Sequence, residues 1–160
     1  MYNMIMEQKE LIVPKGKVII QIFDAKTGKL KSEDITDNLV TTAGKVSIAD
    51  GLRGTETSNK GIITYCALGT NATAPAAGNT DLGTELFRKL VSVRSVASNV
   101  ATFQTYFTTS EGNGTLREAG LFGDDATDTV NTGTLFCHAA ISRTKTSSDT
   151  LTLAWSVTIG

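Results

Sequence analysis

A chain of 160 residues with 40% hydrophobic and 19% charged residues is long enough to bury a core as one domain, and this composition argues against wholesale disorder. A formal charge of −1 leaves no electrostatic case for binding nucleic acid or an anionic membrane. Apolar runs fall well short of the roughly 20 residues of a membrane span, and the first residues lack the pattern of a secretory signal. The sequence predicts a soluble protein with a single domain and no membrane insertion.

Residue usage is biased toward threonine, with 25 residues, and glycine, with 15, whereas proline occurs only 2 times. Threonine is β-branched and suits the wet face of a sheet, while glycine supplies turns. This usage predicts a mainly β protein, either an antiparallel β-sandwich or an open barrel, with one short α-helix inserted.

The N-terminal residues 1–16 are predicted to stand apart as an arm or an edge segment, and residues 17–160 to form the domain. The first residues, YNMIMEQKELIVP, carry apolar side chains up to Pro14. They are predicted either to dock on a neighbouring subunit or to form a terminal strand. The first strand of the domain is predicted at 17–23, and a turn follows at Gly28.

Residues 38–54 are predicted to form a helix of about three to four turns that ends near Gly54. Apolar residues recur there at every third position, as on one face of a helix. These residues are Val40, Ala43, Val46, Ala49 and Leu52.

Strands alternate with turns in the rest of the chain. They are predicted at 61–69, 100–109, 115–122, 134–142 and 151–159. Residues 84–97 are ambiguous, because their pattern is helical at first and then alternates. Two loops are predicted: the small-residue loop at 70–83, which has few large side chains, and the acidic loop at 123–133.

The last predicted strand, LTLAWSVTI, has the clearest alternation in the chain. Apolar residues from Leu151 to Ile159 share one face, whereas Thr152, Ser156 and Thr158 share the other. A strand with one buried and one wet face is typical of an antiparallel sheet.

The one histidine, His138, neighbours Cys137 on a predicted strand, where adjacent side chains point to opposite faces. The two residues therefore do not form a nucleophile–base dyad, and we expect His138 to be an ordinary half-exposed residue. Cys66 and Cys137 alternate with apolar neighbours and are expected to be buried free thiols, with a disulfide as the alternative. Two cysteines and one histidine at these spacings match no zinc pattern.

Other candidate sites are weaker. Asp124, Asp125 and Asp128 would offer a loose calcium site, but the glycine and glutamate spacing of an EF-hand is missing, so we expect neither a metal nor another cofactor. Aromatic side chains would stack on sugars, yet most occupy core positions of predicted strands. They are Tyr65, Phe103, Tyr106, Phe107 and Trp155. We expect no enzyme, because the sequence offers no cluster of acid, base and nucleophile.

A series of motifs recurs in a specific order. A small-residue loop precedes a segment with a glutamate and an arginine, here Glu85 and Arg88. A strand then carries the core R-E-x-G-L-F, formed here by Arg117, Glu118, Gly120, Leu121 and Phe122. A GTL strand and an alternating last strand follow. In this order and spacing, residues 38–159 resemble bacteriophage proteins of the tail-collar and tail-fibre attachment family and its small stand-alone members.

The resemblance implies a virion structural protein, made in the cytoplasm of the host bacterium, that works by assembly and not by catalysis. Its partners would be other copies of itself, for example in a trimer, and neighbouring tail or capsid proteins. A capsid decoration protein is one alternative, and a host-surface glycan-binding module is another. The first 37 residues lie outside the likeness.

The adjacent charges Arg117 and Glu118 call for a physical role. On a strand they point to opposite faces and do not act as one bidentate pair. We therefore expect one of them to meet Glu85 or Arg88 in a partly buried ion pair that fixes the register. The alternative is that these charges line a contact between subunits.

Overall fold

The computed structural model describes residues 14–54 and 60–160. Most of the predicted N-terminal arm, residues 1–13, lies outside the described residues. The remaining arm residues include Lys15, where the first strand begins. Within the described ranges, no helix is long and apolar enough to cross a bilayer.

The described chain folds into strands with one helix between the second and third of them. The elements are β1 (Lys15–Asp24), β2 (Leu30–Val40), α1 (Thr42–Arg53), β3 (Ile63–Gly69), β4 (Glu85–Leu90), β5 (Val93–Ala97), β6 (Val100–Phe107), β7 (Gly114–Gly123), β8 (Thr134–Lys145) and β9 (Asp149–Thr158).

All the strands pair antiparallel in one sheet, in the order β4-β3-β7-β8-β2-β1-β9-β6-β5, and the sheet curls into a half-barrel. The predicted antiparallel β-rich fold with one short helix is confirmed. We call β3, β4, β7 and β8 the covered half, and β1, β2, β5, β6 and β9 the bare half. The two halves meet where β2 pairs briefly with β8, at Leu39 and Val40.

The chain also links the halves on the other side, because it passes from β4 to β5 through Val91 and Ser92. The Val91 N–H donates to Thr64 O of β3 at 2.9 Å, and the Ser92 N–H donates to Gln104 O of β6 at 2.8 Å. One extended segment therefore supplies both edge strands of the sheet, β4 and β5. This explains the ambiguous pattern at 84–97, which is two strands and not a helix.

The main core fills the space between the two halves. Inward side chains of β9 alternate with partly exposed ones, as predicted except at Thr152, which is 8% exposed. Trp155 is the largest inward side chain, at 1% exposure. Among the other buried members are Val18, Ile20, Ile22, Leu68, Phe107, Leu116, Ala119, Leu121, Phe136, Leu151, Leu153 and Val157. Cys66 and Cys137 are buried free thiols in this core, which confirms that prediction. Burial raises the pKa of Cys66 to about 12 and also raises that of Cys137.

Helix α1 begins at its N-cap Thr41, whose hydroxyl accepts a hydrogen bond from the Gly44 N–H at 2.9 Å. It ends at Gly54, where φ is +63°. The helix is present, but it begins later than predicted, because residues 38–40 belong to β2, and the face predicted for it is also wrong. Gly44 and Ser47 are buried, whereas Leu52 is 85% exposed.

The reason for the different face is a close approach between the helix and β8. A Cβ on Gly44 would lie 2.4 Å from the carbonyl oxygen of Phe136. Gly44 therefore lets the helix backbone lie directly on the strand, and this contact decides which side of α1 is buried.

Candidate functional site

Two loops cover the outer face of the covered half. The small-residue loop occupies residues 70–84, between β3 and β4, and the acidic loop occupies residues 124–133, between β7 and β8. Beneath them lies a second, small apolar cluster, separate from the main core. Its buried members are Ala67, Leu82, Phe122 and Leu135. Of these four residues, only Leu82 comes from the small-residue loop. Burial of apolar side chains therefore contributes little to holding that loop on the sheet.

Glu118 of β7 holds the small-residue loop in place. Its carboxylate is 1% exposed and accepts backbone N–H groups from both ends of the loop. Oε1 accepts from Asn71 at 3.2 Å and from Thr84 at 2.8 Å, and Oε2 accepts from Gly83 at 2.9 Å. A buried carboxylate needs such donors, because an unpaired buried charge is strongly destabilising. Glu118 therefore closes the loop at its base.

His138 of β8 completes this network. Its Nε2 lies 3.1 Å from Glu118 Oε2, and its Nδ1 lies 3.0 Å from Asn79 Oδ1 in the middle of the small-residue loop. Burial lowers the pKa of His138, while the Glu118 carboxylate opposes that shift. The expectation of a half-exposed histidine is wrong, because the residue is 3% exposed and lies under the loop.

Two glycines make room for this arrangement. A Cβ on Gly69 would lie 2.5 Å from Glu118 Oε1, and a Cβ on Gly120 would lie 3.0 Å from a methyl carbon of Leu82. Gly120 lies two residues after Glu118 in the R-E-x-G-L-F motif, and its missing side chain lets Leu82 pack against the sheet.

The acidic loop is held by a buried ion pair between Glu85 and Arg88, each with a side chain 1% exposed. Arg88 Nε and Nη2 donate to the two carboxylate oxygens at 2.5 and 2.7 Å. The remaining nitrogen, Nη1, donates to the carbonyl oxygens of Thr127 and Thr132 at 3.1 and 3.0 Å, and Glu85 Oε2 accepts the Asn131 N–H at 3.1 Å. Every charged group of the pair is therefore satisfied by the partner or by the loop.

Phe122 supports Arg88 from below. The guanidinium carbon lies 4.4 Å from the centre of the Phe122 ring, within the range of a cation–π contact. Phe122 is also fully buried in the small apolar cluster. The aromatic residue of the motif thus supports the anchor of the acidic loop and belongs to the apolar cluster beneath both loops.

Arg117 behaves differently from its neighbour. It is exposed, and its Nη1 donates to the Ser142 hydroxyl at 2.8 Å. The predicted ion pair of Arg117 or Glu118 with Glu85 or Arg88 is therefore wrong in its partners: Glu85 and Arg88 pair with each other, and Glu118 binds the small-residue loop.

The partners were mispredicted because of a local irregularity. In a regular strand, residues i and i+3 point to opposite faces, so Glu85 and Arg88 would not meet. A register shift opposite β3 places Gly69 against Glu85 and Leu68 against Phe87. This register shift at the start of β4 accompanies the contact between Glu85 and Arg88, which a regular strand would not allow.

Asp124, at the start of the acidic loop, fastens it to the helix. Its carboxylate accepts the Ser47 hydroxyl at 2.7 Å and the Gly61 N–H at 2.8 Å, and Lys60 Nζ lies 3.6 Å away. Burial acts to raise the pKa of Asp124, but the hydrogen bonds from Ser47 and Gly61 hold it below its ordinary value. Among the described residues, no group of three or more potential metal ligands is found, at the acidic loop or elsewhere.

Sequence reasoning singled out Glu85, Arg88, Glu118, Gly120 and Phe122, and the structure brings all five together under the loops. It missed the residues that receive these anchors, above all His138 and Asn79. A signal for the loop was available in its composition: a segment with one large apolar residue needs polar anchors to remain in place.

The aromatic residues considered for sugar stacking differ in exposure. Phe107 and Trp155 are buried, Tyr65 and Phe103 are partly buried against the apolar clusters, and Tyr106 is 45% exposed. The arrangement as a whole anchors two largely exposed loops over a sheet.

No protein-family model, curated protein or solved structure matches this chain.

Proposed function

We propose that this chain is a bacteriophage virion structural protein of the tail, collar or fibre-attachment type. It acts by binding other copies of itself and neighbouring virion proteins, not by catalysis. The support comes from the order of motifs over residues 38–159 and from the use that the structure makes of their charged residues.

The observation that carries the proposal is the environment of Glu118. Its carboxylate lies beneath the small-residue loop, with each oxygen occupied by donors at 2.8–3.2 Å. A carboxylate committed to three backbone N–H groups and a histidine ring serves to position a loop, because little of it remains to bind a substrate. In this proposal, the motif residues position the loops that form a binding surface.

The mechanism follows from the two anchored loops. Association costs less free energy when the contacting segments are already ordered in the free protein. Most residues between Ala72 and Gly78 in the small-residue loop are exposed, as are those from Asp128 to Asn131 in the acidic loop. These segments present a rigid surface to a neighbouring subunit, and the exposed Arg117 lies on the strand next to their base.

Immunogold electron microscopy of purified virions, with an antibody against this chain, tests the proposal. Gold at the tail, the neck or the base of the fibres is the expected result. Gold spread over the head would replace it with the capsid-decoration function. Virions that lack the chain altogether would overturn a structural role.

A second experiment tests the binding surface in the isolated protein. Arg117→Met is expected to leave the melting temperature unchanged, because the side chain is exposed. Size-exclusion chromatography with light scattering would then show whether assembly weakens. Weaker assembly at constant melting temperature would support a subunit contact next to the loops, and unchanged assembly would place the contact elsewhere.

A further inference from the structure

His138 of β8 faces an oxygen atom with each of its two ring nitrogens. Nε2 lies 3.1 Å from Glu118 Oε2, and Nδ1 lies 3.0 Å from Asn79 Oδ1 in the middle of the small-residue loop. A neutral imidazole carries one N–H and donates one hydrogen bond, whereas the charged imidazolium donates two. With an acceptor at each nitrogen, both contacts are hydrogen bonds only when the ring carries its second proton.

Other contacts of the two oxygens fix them as acceptors. Asn79 Oδ1 accepts the Ala76 N–H at 2.7 Å, and the Asn79 N–H donates to Ala76 O at 3.0 Å, so this turn holds the amide with its oxygen toward the ring. Glu118 Oε2 accepts the Gly83 N–H at 2.9 Å, and Oε1 accepts two more backbone N–H groups. Three such donors favour the ionised carboxylate over the protonated one. Both oxygens are therefore acceptors toward the ring.

Burial and charge act on the ring in opposite directions. Burial lowers the pKa of His138 from the ordinary 6.5, and the Glu118 carboxylate opposes that shift. Leu39, which pairs with His138 on β2, adds no charge. The ring is therefore neutral at about pH 7 and keeps one N–H. A hydrogen bond to a charged acceptor is the stronger one, so that N–H, on Nε2, stays with Glu118, and Nδ1 turns a lone pair toward Asn79 Oδ1.

We propose that His138 is a proton-dependent latch for the small-residue loop. When the ring takes up its second proton, Nδ1–H donates to Asn79 Oδ1 and ties the middle of the loop to β8. When the ring loses that proton, two lone pairs face each other and the contact is released, while Glu118 keeps both ends of the loop attached. The latch is a property of the isolated chain and is independent of the proposed function.

The latch acts on one turn of the loop. Ala77 O accepts the Thr42 N–H of α1 at 2.8 Å, a contact that does not involve the ring and keeps the loop beside the helix in both states. The Ala76 N–H, in contrast, depends on the position of the Asn79 oxygen. The Ala76 amide therefore reports whether the latch is closed.

Acid has opposite effects on the latch and on the whole fold. Because burial puts the folded-state pKa of His138 below the unfolded value, its contribution to the free energy of unfolding is present above pH 6.5 and is lost as the pH falls through the folded-state value. The latch closes over the same range. A tighter loop turn in a slightly less stable protein therefore distinguishes the latch from a general stabilisation by acid.

The protonation of the ring is measured by ¹⁵N NMR of the full chain labelled in histidine. His138 is the one histidine of the chain, so the signals of its two ring nitrogens have a single source. At about pH 7.5 we expect a neutral ring with its proton on Nε2, and a second proton on Nδ1 as the pH falls toward about 5. A neutral ring with its proton on Nδ1, or a ring that stays neutral down to about pH 4.5, would overturn the proposal.

Asn79→Ala tests whether the loop binds the charged ring. Removing the acceptor at Nδ1 should raise the acid dissociation constant of His138 about three- to tenfold, because the charged ring loses a hydrogen bond that the neutral ring does not make. Thr80→Ala is the matched control, since it changes the next, exposed position of the same loop and should leave the constant unchanged. The same constant in the native protein and in Asn79→Ala would contradict the latch.

Hydrogen exchange of the Ala76 amide follows the closing of the loop turn. Its protection factor, corrected for the intrinsic exchange rate at each pH, should rise about tenfold as the ring is protonated. The amides of Asn71, Gly83 and Thr84 are held by Glu118 and should keep constant protection factors. A constant protection factor at Ala76, or an equal rise at all four amides, would overturn the proposal.

Two variants separate the histidine from other charged groups near the loop. The cavity beside the loop also carries Asp50 of α1 and the ion pair of Lys60 with Asp124, whose charged atoms lie 3.6 Å apart. The rise in protection at Ala76 should persist in Asp50→Asn and disappear in His138→Gln. Loss of the rise in Asp50→Asn, or its persistence in His138→Gln, would assign the pH dependence to another group and overturn the proposal.

Discussion

The covered and bare halves of the sheet share a core but differ on their outer faces. In the covered half, β7 is buried over Ala119–Gly123 because the loops pack on its outer side. In the bare half, β5 is exposed at all five positions, and Ile35 of β2 is 60% exposed. Strand β7 of the covered half is therefore buried on both faces, whereas strands such as β1, β2 and β5 of the bare half are buried on at most one face.

The difference shows where this protein uses buried charge. Glu85, Arg88, Glu118 and Asp124 all lie in or beside the covered half, and each receives donors or acceptors from a loop or from the link next to it. The ion pairs of the bare half keep at least one exposed partner, as in Lys17–Asp37, with side chains 66% and 87% exposed, and Lys31–Asp149, with side chains 49% and 4% exposed. The buried charges of the covered half thus serve to attach loops, since two loops of small or polar residues bury little apolar surface.

The largest effect is expected from Glu118→Ala. It removes the acceptor for three loop N–H groups and for His138, and leaves these donors buried without partners. The free energy of unfolding should fall by about 3–5 kcal/mol. Chemical denaturation measures this loss, and Arg117→Ala, one residue away but exposed, should change stability by less than about 0.5 kcal/mol. Equal losses at both positions would contradict the distinction drawn between them.

Arg88→Met should be nearly as damaging, because it leaves Glu85 as an uncompensated buried charge. We expect a loss of about 3 kcal/mol in the free energy of unfolding, with partial recovery when Glu85→Leu is added. Lys89→Met is the control, since Lys89 pairs with Glu111 through side chains that are 30% and 24% exposed. A loss for Arg88→Met as small as that for Lys89→Met would contradict the anchoring of the acidic loop by Arg88.

Gly120→Ala should cost about 1–3 kcal/mol of stability, because its Cβ would press on Leu135 and Leu82 at 2.8 and 3.0 Å. Because Leu82→Ala relieves part of the crowding, the loss in the double variant should be smaller than the sum of the two single losses. Gly78→Ala lies in open space within the same loop and serves as the control. Thermal unfolding of Gly120→Ala, Leu82→Ala, the double variant and Gly78→Ala tests this, and full additivity of the two core changes would argue against the contact.

The smallest effect concerns acid stability in the bare half. The Lys31 ammonium donates to Asp149 at 2.6 Å, and this hydrogen bond, with those from Thr146, lowers the pKa of Asp149 from 3.8 to about 2. The folded-state pKa lies below the unfolded value, so the contribution to stability is complete above about pH 4 and is lost as the pH falls toward 2. The stability difference between the native protein and Asp149→Asn should therefore shrink over that range. A difference that stays constant from pH 5 to pH 2 would contradict this assignment.

How far the sequence predicted the structure varies between elements. Alternation predicted β9 and its buried face, because that strand crosses the middle of the core. Strand β2 went unpredicted over Ser32–Asp37, since its side chains there are at least partly exposed and leave no apolar pattern. The buried face of α1 was mispredicted because it is decided by the close contact between the helix backbone at Gly44 and β8. A pattern of apolar residues does not show that a glycine allows such a contact.

The sequence predicted which residues form the candidate site but not which of them bind each other. Motif spacing singled out the charged residues of β4 and β7. Their partners depend on a register shift at Glu85 and on the path of the small-residue loop, and neither has a signature in a single sequence.

Hydrogen exchange of the amides of Asn71, Gly83 and Thr84, measured by NMR, tests directly whether Glu118 fastens the small-residue loop. In the native protein these amides should exchange slowly, within tenfold of the protected strand amides of β7, and in Glu118→Gln they should exchange much faster while the strand amides of β9 stay protected. Fast exchange of all three amides in the native protein would mean that the loop is not held at its base, and the account would be wrong.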